Sequence, residues 1–424
     1  MKSKKTELFR LLLTAKKYIL ASGKWVVISL ILGFVGGFVG ALFYKAVAYA
    51  NELRTEHWYL ILFLPLAGVA IAGLYSLGKI KEDPGTNLII SSVRSNKHIP
   101  FVMAPLIFVS TVLTHLFGGS AGREGAALQL GGSLGAKLGE LLKLNSRDMS
   151  IVIMCGMSAV FSALFETPLT AVFFAMGVIS VGVIYYAGLV PCIISSLVAY
   201  KVSFLFGNKP ETFNIDKYIP KLSIVSVLQV SALALVCAWI AILFCVVMRF
   251  SHYKFKTLLE NQYVRVLVGS AAIVLLTVIV GNQDYNGAGT AVIQKAIIDG
   301  STHWYSFALK ILFTAITIGC GLKGGEIVPT MFIGATFGCT FAPLLGLSPQ
   351  FGAAVGLITL FCGAVNCPIA AIVLSIEMFG TGGLLLFALA GGISYVFSGY
   401  YGLYSSQKIV YSKLTSKYIN KNAK

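Results

Sequence analysis

Gly118-Gly-Ser-Ala-Gly-Arg-Glu-Gly125 sets an arginine, a glutamate and four glycines inside a chain otherwise made of apolar, membrane-length segments. A carboxylate at that depth is costly unless it acts on ions or protons, so Glu124 poses the functional question. The glycines beside it open the backbone. An interrupted helix is therefore expected here, and not a continuous span.

The 424 residues are 57% hydrophobic and only 12% charged, with a mean hydropathy of +0.84, which excludes an ordinary soluble domain. Uncharged apolar stretches recur, among them Trp25 to Tyr44, Trp58 to Leu77, Leu169 to Tyr200, Ser223 to Met248 and most of Ile327 to Gly402. Each is long enough to cross a hydrocarbon core of about 30 Å as a helix. The chain reads as an all-α polytopic membrane protein.

A net charge of +17 could point to nucleic acid, but the basic residues sit at the two ends and in short loops. Seven lie in residues 2–24 and five in 408–424, which places both termini in the cytoplasm by the positive-inside rule. No nucleic-acid partner is expected; the charge serves topology and contact with anionic lipid. Residues 6–20 combine leucines with Arg10, Lys16 and Lys17, as an amphipathic helix on the inner surface would. The long basic start predicts no cleavable signal peptide, and the short stretch after the last span predicts no soluble regulatory domain.

The eight cysteines lack metal-type spacing and read as small packing residues, so no metal or cofactor is expected. His115 is the histidine nearest Glu124, and it reads as structural. Neither a His-Glu-x-x-His run nor a Ser-His arrangement supports an enzyme.

An internal repeat organises the chain. Gly119-Ser-Ala-Gly-Arg-Glu124 matches Gly321-Leu-Lys-Gly-Gly-Glu326, and Gly132 matches Gly334 at the same offset. Pro168-Leu-Thr-Ala-Val172 then matches Pro368-Ile-Ala-Ala-Ile372, each preceded by a Cys-Gly pair, Cys155-Gly156 and Cys362-Gly363. These matches divide the chain into an N-terminal segment 1–24, a first repeat 25–205, an external linker 206–222, a second repeat 223–407 and a basic tail 408–424. Two halves with odd numbers of crossings are inverted, and such repeats place their site at the midplane on broken helices.

Glycine-rich breaks leave unpaired N–H groups at helix starts, which attract anions. Such starts fall at Pro84-Gly-Thr-Asn87, Gly122 to Gly125 and Gly324 to Val328. The Glu124 carboxylate can occupy such a site as a tethered competitor. Protonation would release the site and carry a proton, coupling anion and proton movement. The plainer alternative is a capping carboxylate paired with Arg123.

Gly122-Arg-Glu-Gly125, the 84–89 stretch, Gly324-Gly-Glu-Ile-Val-Pro329 and Gly402-Leu-Tyr-Ser405 together resemble the CLC family of chloride channels and anion/proton antiporters, over about residues 25–410. The resemblance implies a homodimer with one pore per subunit, each pore built from tilted, broken helices in two inverted halves. It makes Glu124 the gating and proton-carrying glutamate and Tyr404 the pore tyrosine. Thr86 takes the position of the family's central serine. The backbone around Gly122, Arg123 and Gly125, and the amides of Ile327 and Val328, would meet the anion.

Three departures refine that implication. Gly85-Thr-Asn-Leu-Ile89 lacks the serine, second glycine and proline of the chloride-type motif. Gly177 and Val178 stand where chloride/proton antiporters carry an internal glutamate pair. Glu326 stands in the second-half loop where chloride-selective members have an apolar residue. The combination resembles the fluoride-exporting branch, which implies a bacterial cell-membrane protein exchanging fluoride for protons. A chloride channel or chloride/proton antiporter is the alternative, and a helix-capping role is the alternative for Glu326.

Fluoride is small and strongly hydrated, so its site must replace water with close donors. Thr86, Asn87 and Tyr404 can supply them, with a protonated Glu326 as a fourth. Phe332 could offer a ring edge but reads as packing. Glu377 is expected to pair structurally near the inner face.

Overall fold

The computed structural model describes residues 2–80 and 85–424, with side chains described from residue 22. The facing of the 6–20 segment and the placement of Pro84 lie outside the described residues. Sixteen α-helices follow one another: α1 (Lys2–Glu56), α2 (Leu64–Leu77), α3 (Thr86–Ser95), α4 (Met103–Leu116), α5 (Glu124–Leu141), α6 (Ser146–Phe165), α7 (Pro168–Gly177), α8 (Leu189–Leu205), α9 (Ile224–Leu258), α10 (Gln262–Val280), α11 (Thr290–Ile298), α12 (Ser306–Cys320), α13 (Ile327–Phe341), α14 (Pro349–Val365), α15 (Pro368–Phe379) and α16 (Leu384–Phe397). The N-terminal segment and the first span share one unbroken helix. Among the described residues, seven helical stretches are long and apolar enough to cross a membrane.

The helices pack through glycine, as membrane helices do where backbones must approach closely. A Cβ on Gly156 of α6 would stand 2.1 Å from the Gly131 carbonyl oxygen of α5, and one on Gly356 of α14 would stand 2.1 Å from that of Gly334 in α13. The same contact is therefore built twice. It also corrects the sequence register: Gly131, not Gly132, is the counterpart of Gly334, since Gly132 faces Ile89. Gly156 is likewise the counterpart of Gly356, and the Cys362-Gly363 match is accidental.

The later register holds. Glu166 and Asn366 both close their helices in the left-handed region, at φ 56° and 58°, and Pro168 and Pro368 open the next helices. Asparagine tolerates that conformation through its short polar side chain, whereas Glu166 occupies it with no such compensation.

Helices α7 and α15 run in opposite directions. Strand β1 (Ser180–Val181), just past the end of α7, pairs in parallel with β2 (Lys408–Tyr411) of the tail, which pairs in turn with β3 (Tyr418–Asn422). Asn366, just before α15, accepts from Lys413 of the same tail. At the opposite face the Phe213 N–H of the linker donates to the Met378 carbonyl near the end of α15, at 2.8 Å. The short sheet is the one addition to the helical plan.

The same geometry relocates Glu377. Its two carboxylate oxygens accept from the Leu169 and Thr170 N–H groups, each at 2.9 Å, capping the start of α7. That start lies on the linker's face of the molecule, away from the tail. The residue is therefore a helix cap on the face away from the tail, not beside the tail that the sequence reading puts on the inner face. Glu377→Ala is expected to cost about 1 kcal/mol, the usual worth of a lost N-terminal cap, read as a lower unfolding temperature in detergent.

All eight cysteines are buried and free. His115 is buried; its Nδ1–H donates to the Thr111 carbonyl at 2.9 Å within α4, and its Nε2 has no partner among the described residues.

Candidate functional site

Two glycine-rich breaks meet at the centre. Gly122 and Gly325 exchange both backbone hydrogen bonds at 2.7 Å, joining the segment before α5 to the segment before α13. Only bare backbone fits: a Cβ on Gly325 would meet the Gly125 nitrogen at 2.5 Å, and one on Gly324 would meet the Ala121 Cβ at 2.4 Å. The pairing consumes the loops' own polar groups. It leaves the first N–H groups of α5 and α13 facing the junction.

Into that junction Glu124 turns its carboxylate. The residue is fully buried, its Oε2 accepts from the Val328 N–H at 3.2 Å, and its Oε1 has no partner among the described residues. A side chain of the first half thus occupies the helix start of the second half, where an anion would sit.

The pairing of Gly122 with Gly325 also sets the repeat register at the break. Arg123 and Glu326 both hold the position before the helix, with φ, ψ of −115°, −5° and −103°, −8°. Glu326 is therefore the counterpart of Arg123, and Ile327 that of Glu124. The sequence match slipped by one residue because the glycine-rich motif aligns in either register. On a helix start one residue is a turn of about 100°, so the two glutamates approach the centre from different sides.

Arg123 does not pair with Glu124. Its guanidinium lies over the Tyr44 ring at 4.3 Å, and none of the ion pairs among the described residues involves either group. Of the plainer reading, a capping carboxylate paired with Arg123, the ion pair is absent among the described residues, while the carboxylate does cap the start of α13 through the Val328 N–H. Glu326 makes no cap with its side chain; only its carbonyl is engaged, by the Thr330 N–H at 3.0 Å and hydroxyl at 2.8 Å.

Tyr404 is 2% exposed and its hydroxyl has no hydrogen-bond partner among the described residues. A buried phenol without a partner costs on the order of 1–3 kcal/mol, so this orphan donor marks a place for an acceptor. The Asn87 Oδ1 accepts from the Ser406 N–H at 2.9 Å, which ties the start of α3 to the segment that follows Tyr404. The Thr86 hydroxyl donates to the Gly125 carbonyl at 3.2 Å, so its one proton is committed to holding α3 against α5.

Two groups escaped the sequence reading. Lys310 of α12 is fully buried, and its Nζ donates to the carbonyls of Gly287 and Tyr285 at 2.7 and 3.2 Å while lying 5.0 Å from the Phe332 ring centre. Its signal was a lone lysine within an apolar helix. Phe332 is fully buried as a packing residue, with Tyr285 against its edge at 6.2 Å. Arg54, 5% exposed, donates to the His115 carbonyl at 3.4 Å, at the end of α4.

Antiparallel, repeated helix units whose breaks meet at a buried, unpaired carboxylate define a polytopic ion-transport protein. A family model described as voltage gated chloride channel matches residues 74–399, and the chain belongs to that family, the CLC proteins. It is 33% identical over 397 residues to the chloride/fluoride channel protein of Pseudomonas syringae pv. tomato, covering 92% of this chain and 87% of that protein. It is 24% identical to the H(+)/Cl(-) exchange transporter ClcA of Vibrio cholerae, covering 85% and 82%. Among solved structures, a CLC-type fluoride/proton antiporter superposes with a TM-score of 0.88 at 32% identity, covering 91% of this chain and 98% of that one. A slow cyanobacterial Cl-/H+ antiporter shares the fold at a TM-score of 0.75 and 19% identity, covering 88% and 94%.

Proposed function

We propose that this chain is a secondary active transporter that exports fluoride in exchange for protons. The observation that carries the reading is the Glu124 carboxylate seated on the Val328 N–H, in the place an anion would take. An ionised Glu124 holds the site; a protonated one loses most of its hold on the N–H and yields to an anion. Each exchange of occupant then moves one proton against one anion.

The selectivity for fluoride rests on the donors around the centre. The Tyr404 hydroxyl, the Asn87 amide nitrogen and the amides of Ile327 and Val328 are compact donors suited to a small anion. Gly122, Arg123 and Gly125 contribute backbone to the same junction, and Thr86 fixes that backbone in place. Glu326 donates when protonated and repels when ionised, which makes it the second group through which protons act on the anion. A chloride/proton antiporter of the same family would call for an inner carboxylate at the end of α7, where Gly177 and Val178 stand.

The protein works as a homodimer in a bacterial cell membrane, with both termini cytoplasmic and lipid around two inverted halves, 25–205 and 223–407. Residues 1–24 and 408–424 flank those halves on the inner face, and 206–222 links them outside. No cofactor, metal or nucleic acid has a part in the cycle. Glu326→Gln tests the second carboxylate: reconstituted in liposomes, the variant is expected to lose about tenfold or more of its fluoride efflux rate, the scale of a positioned proton donor. Unchanged efflux in the variant would remove Glu326 from the mechanism.

A further inference from the structure

The linker between the halves does more than join them. Asn208 Nδ2 donates to the Ser203 hydroxyl at 2.8 Å, and the Phe213 N–H donates to the Met378 carbonyl at 2.8 Å. Residues 209–212 are thus held between two anchors, and Lys209 and Glu211 of this segment line a narrow cavity of about 40 Å³. Lys209, Glu211, Arg123 and Thr167 line the same cavity as Val328, whose N–H holds the Glu124 carboxylate.

That volume admits a file of very few waters, since one water needs roughly 10–15 Å³ of such space. The Thr167 hydroxyl is buried without a partner among the described residues, so a polar group is available along the way. Among the described residues lining the cavity, Glu211 is the only carboxylate. It is half-buried and makes no ion pair with Lys209.

We propose that Glu211 is the outer proton port: it takes a proton from the external solution and passes it along the water file to the Glu124 carboxylate. The inference rests on the fluoride/proton reading of the site and names the residue that serves it from outside. In the transfer the Glu211 carboxyl gives up its O–H proton, Glu124 becomes the neutral acid, and Glu211 returns to the carboxylate form. Lys209 and Arg123 line the same cavity and draw the departing anion outward, while Tyr44 holds the Arg123 guanidinium at the wall. Two other carboxylates border the region. Glu166 precedes Thr167, buried with neither carboxylate oxygen partnered among the described residues and not itself lining the cavity, and Glu377 precedes Met378 and is committed to capping α7.

The test is fluoride efflux and proton influx measured together in proteoliposomes over a range of external pH. Wild-type coupling is established first, and Glu211→Gln, Glu211→Asp and Lys209→Gln follow. Glu211→Gln is expected to slow coupled turnover about tenfold, as loss of a positioned proton carrier does, with KM for fluoride and the fluoride-to-proton ratio unchanged. Glu211→Asp is expected to restore most of the rate, as is a high concentration of a small diffusible buffer such as imidazole added outside the Glu211→Gln vesicles. Lys209→Gln should change the salt dependence of efflux while leaving its pH dependence intact.

Wild-type turnover and pH dependence in Glu211→Gln would overturn the proposal. So would a slowed variant that neither aspartate nor external buffer rescues, because that pattern belongs to a structural role. A wild type that moves fluoride without protons would instead overturn the antiport reading, and the port with it.

Discussion

Glu124→Gln is expected to abolish proton-coupled fluoride efflux from proteoliposomes, a loss of at least about a hundredfold for a group that carries the proton itself. The substitution keeps the volume and the acceptor oxygen, so the Val328 N–H retains its partner and the two helix starts stay joined through Gly122 and Gly325. What it removes is the choice between a charged and a neutral state. An amide holds the site weakly at every pH and delivers no proton. The variant should therefore fold, with a wild-type unfolding temperature in detergent, and fail in transport. Wild-type coupled flux in the glutamine variant would end the role assigned to Glu124.

Fluoride efflux is expected to exceed chloride efflux by about a hundredfold, which needs about 2.7 kcal/mol of difference between the two barriers. Fluoride gives up a more tightly held shell of water, and only a centre dense in short donors compensates for it. The unpartnered Tyr404 hydroxyl, the Asn87 amide and the Val328 N–H are the compact donors that the proposed centre would use. Tyr404→Phe removes one of those donors without changing shape. It should therefore cost fluoride more than chloride, and equal efflux of the two anions by the wild type would favour the chloride reading of the family.

Much of this site was legible in the sequence because its costs are local. An intramembrane glutamate among glycines announces both a broken helix and a reason for it, and Glu326 announces itself the same way. Register was harder. Gly-rich breaks align in two ways, and only the hydrogen bonds between Gly122 and Gly325 show that Glu326 answers to Arg123. The direction of Glu377 needed the tail and the linker in place, since its partners on α7 lie some two hundred residues away in the chain. The cavity lined by Lys209 and Glu211 was illegible for the same reason. Its lining comes from eight segments spread from Tyr44 to Met378, and a polar linker looks alike whether it crosses open solvent or lines a cavity. Thr86 shows the limit of transferring a role by position: its hydroxyl holds backbone, while the orphan donor is on Tyr404.

The most direct test of the central claim is simultaneous recording of fluoride and proton fluxes in liposomes holding the wild-type protein, with a fluoride gradient and no initial pH gradient. The account predicts that fluoride efflux drives protons inward, at a fixed ratio and against the pH gradient that builds. Fluoride movement that leaves the internal pH unchanged would contradict it.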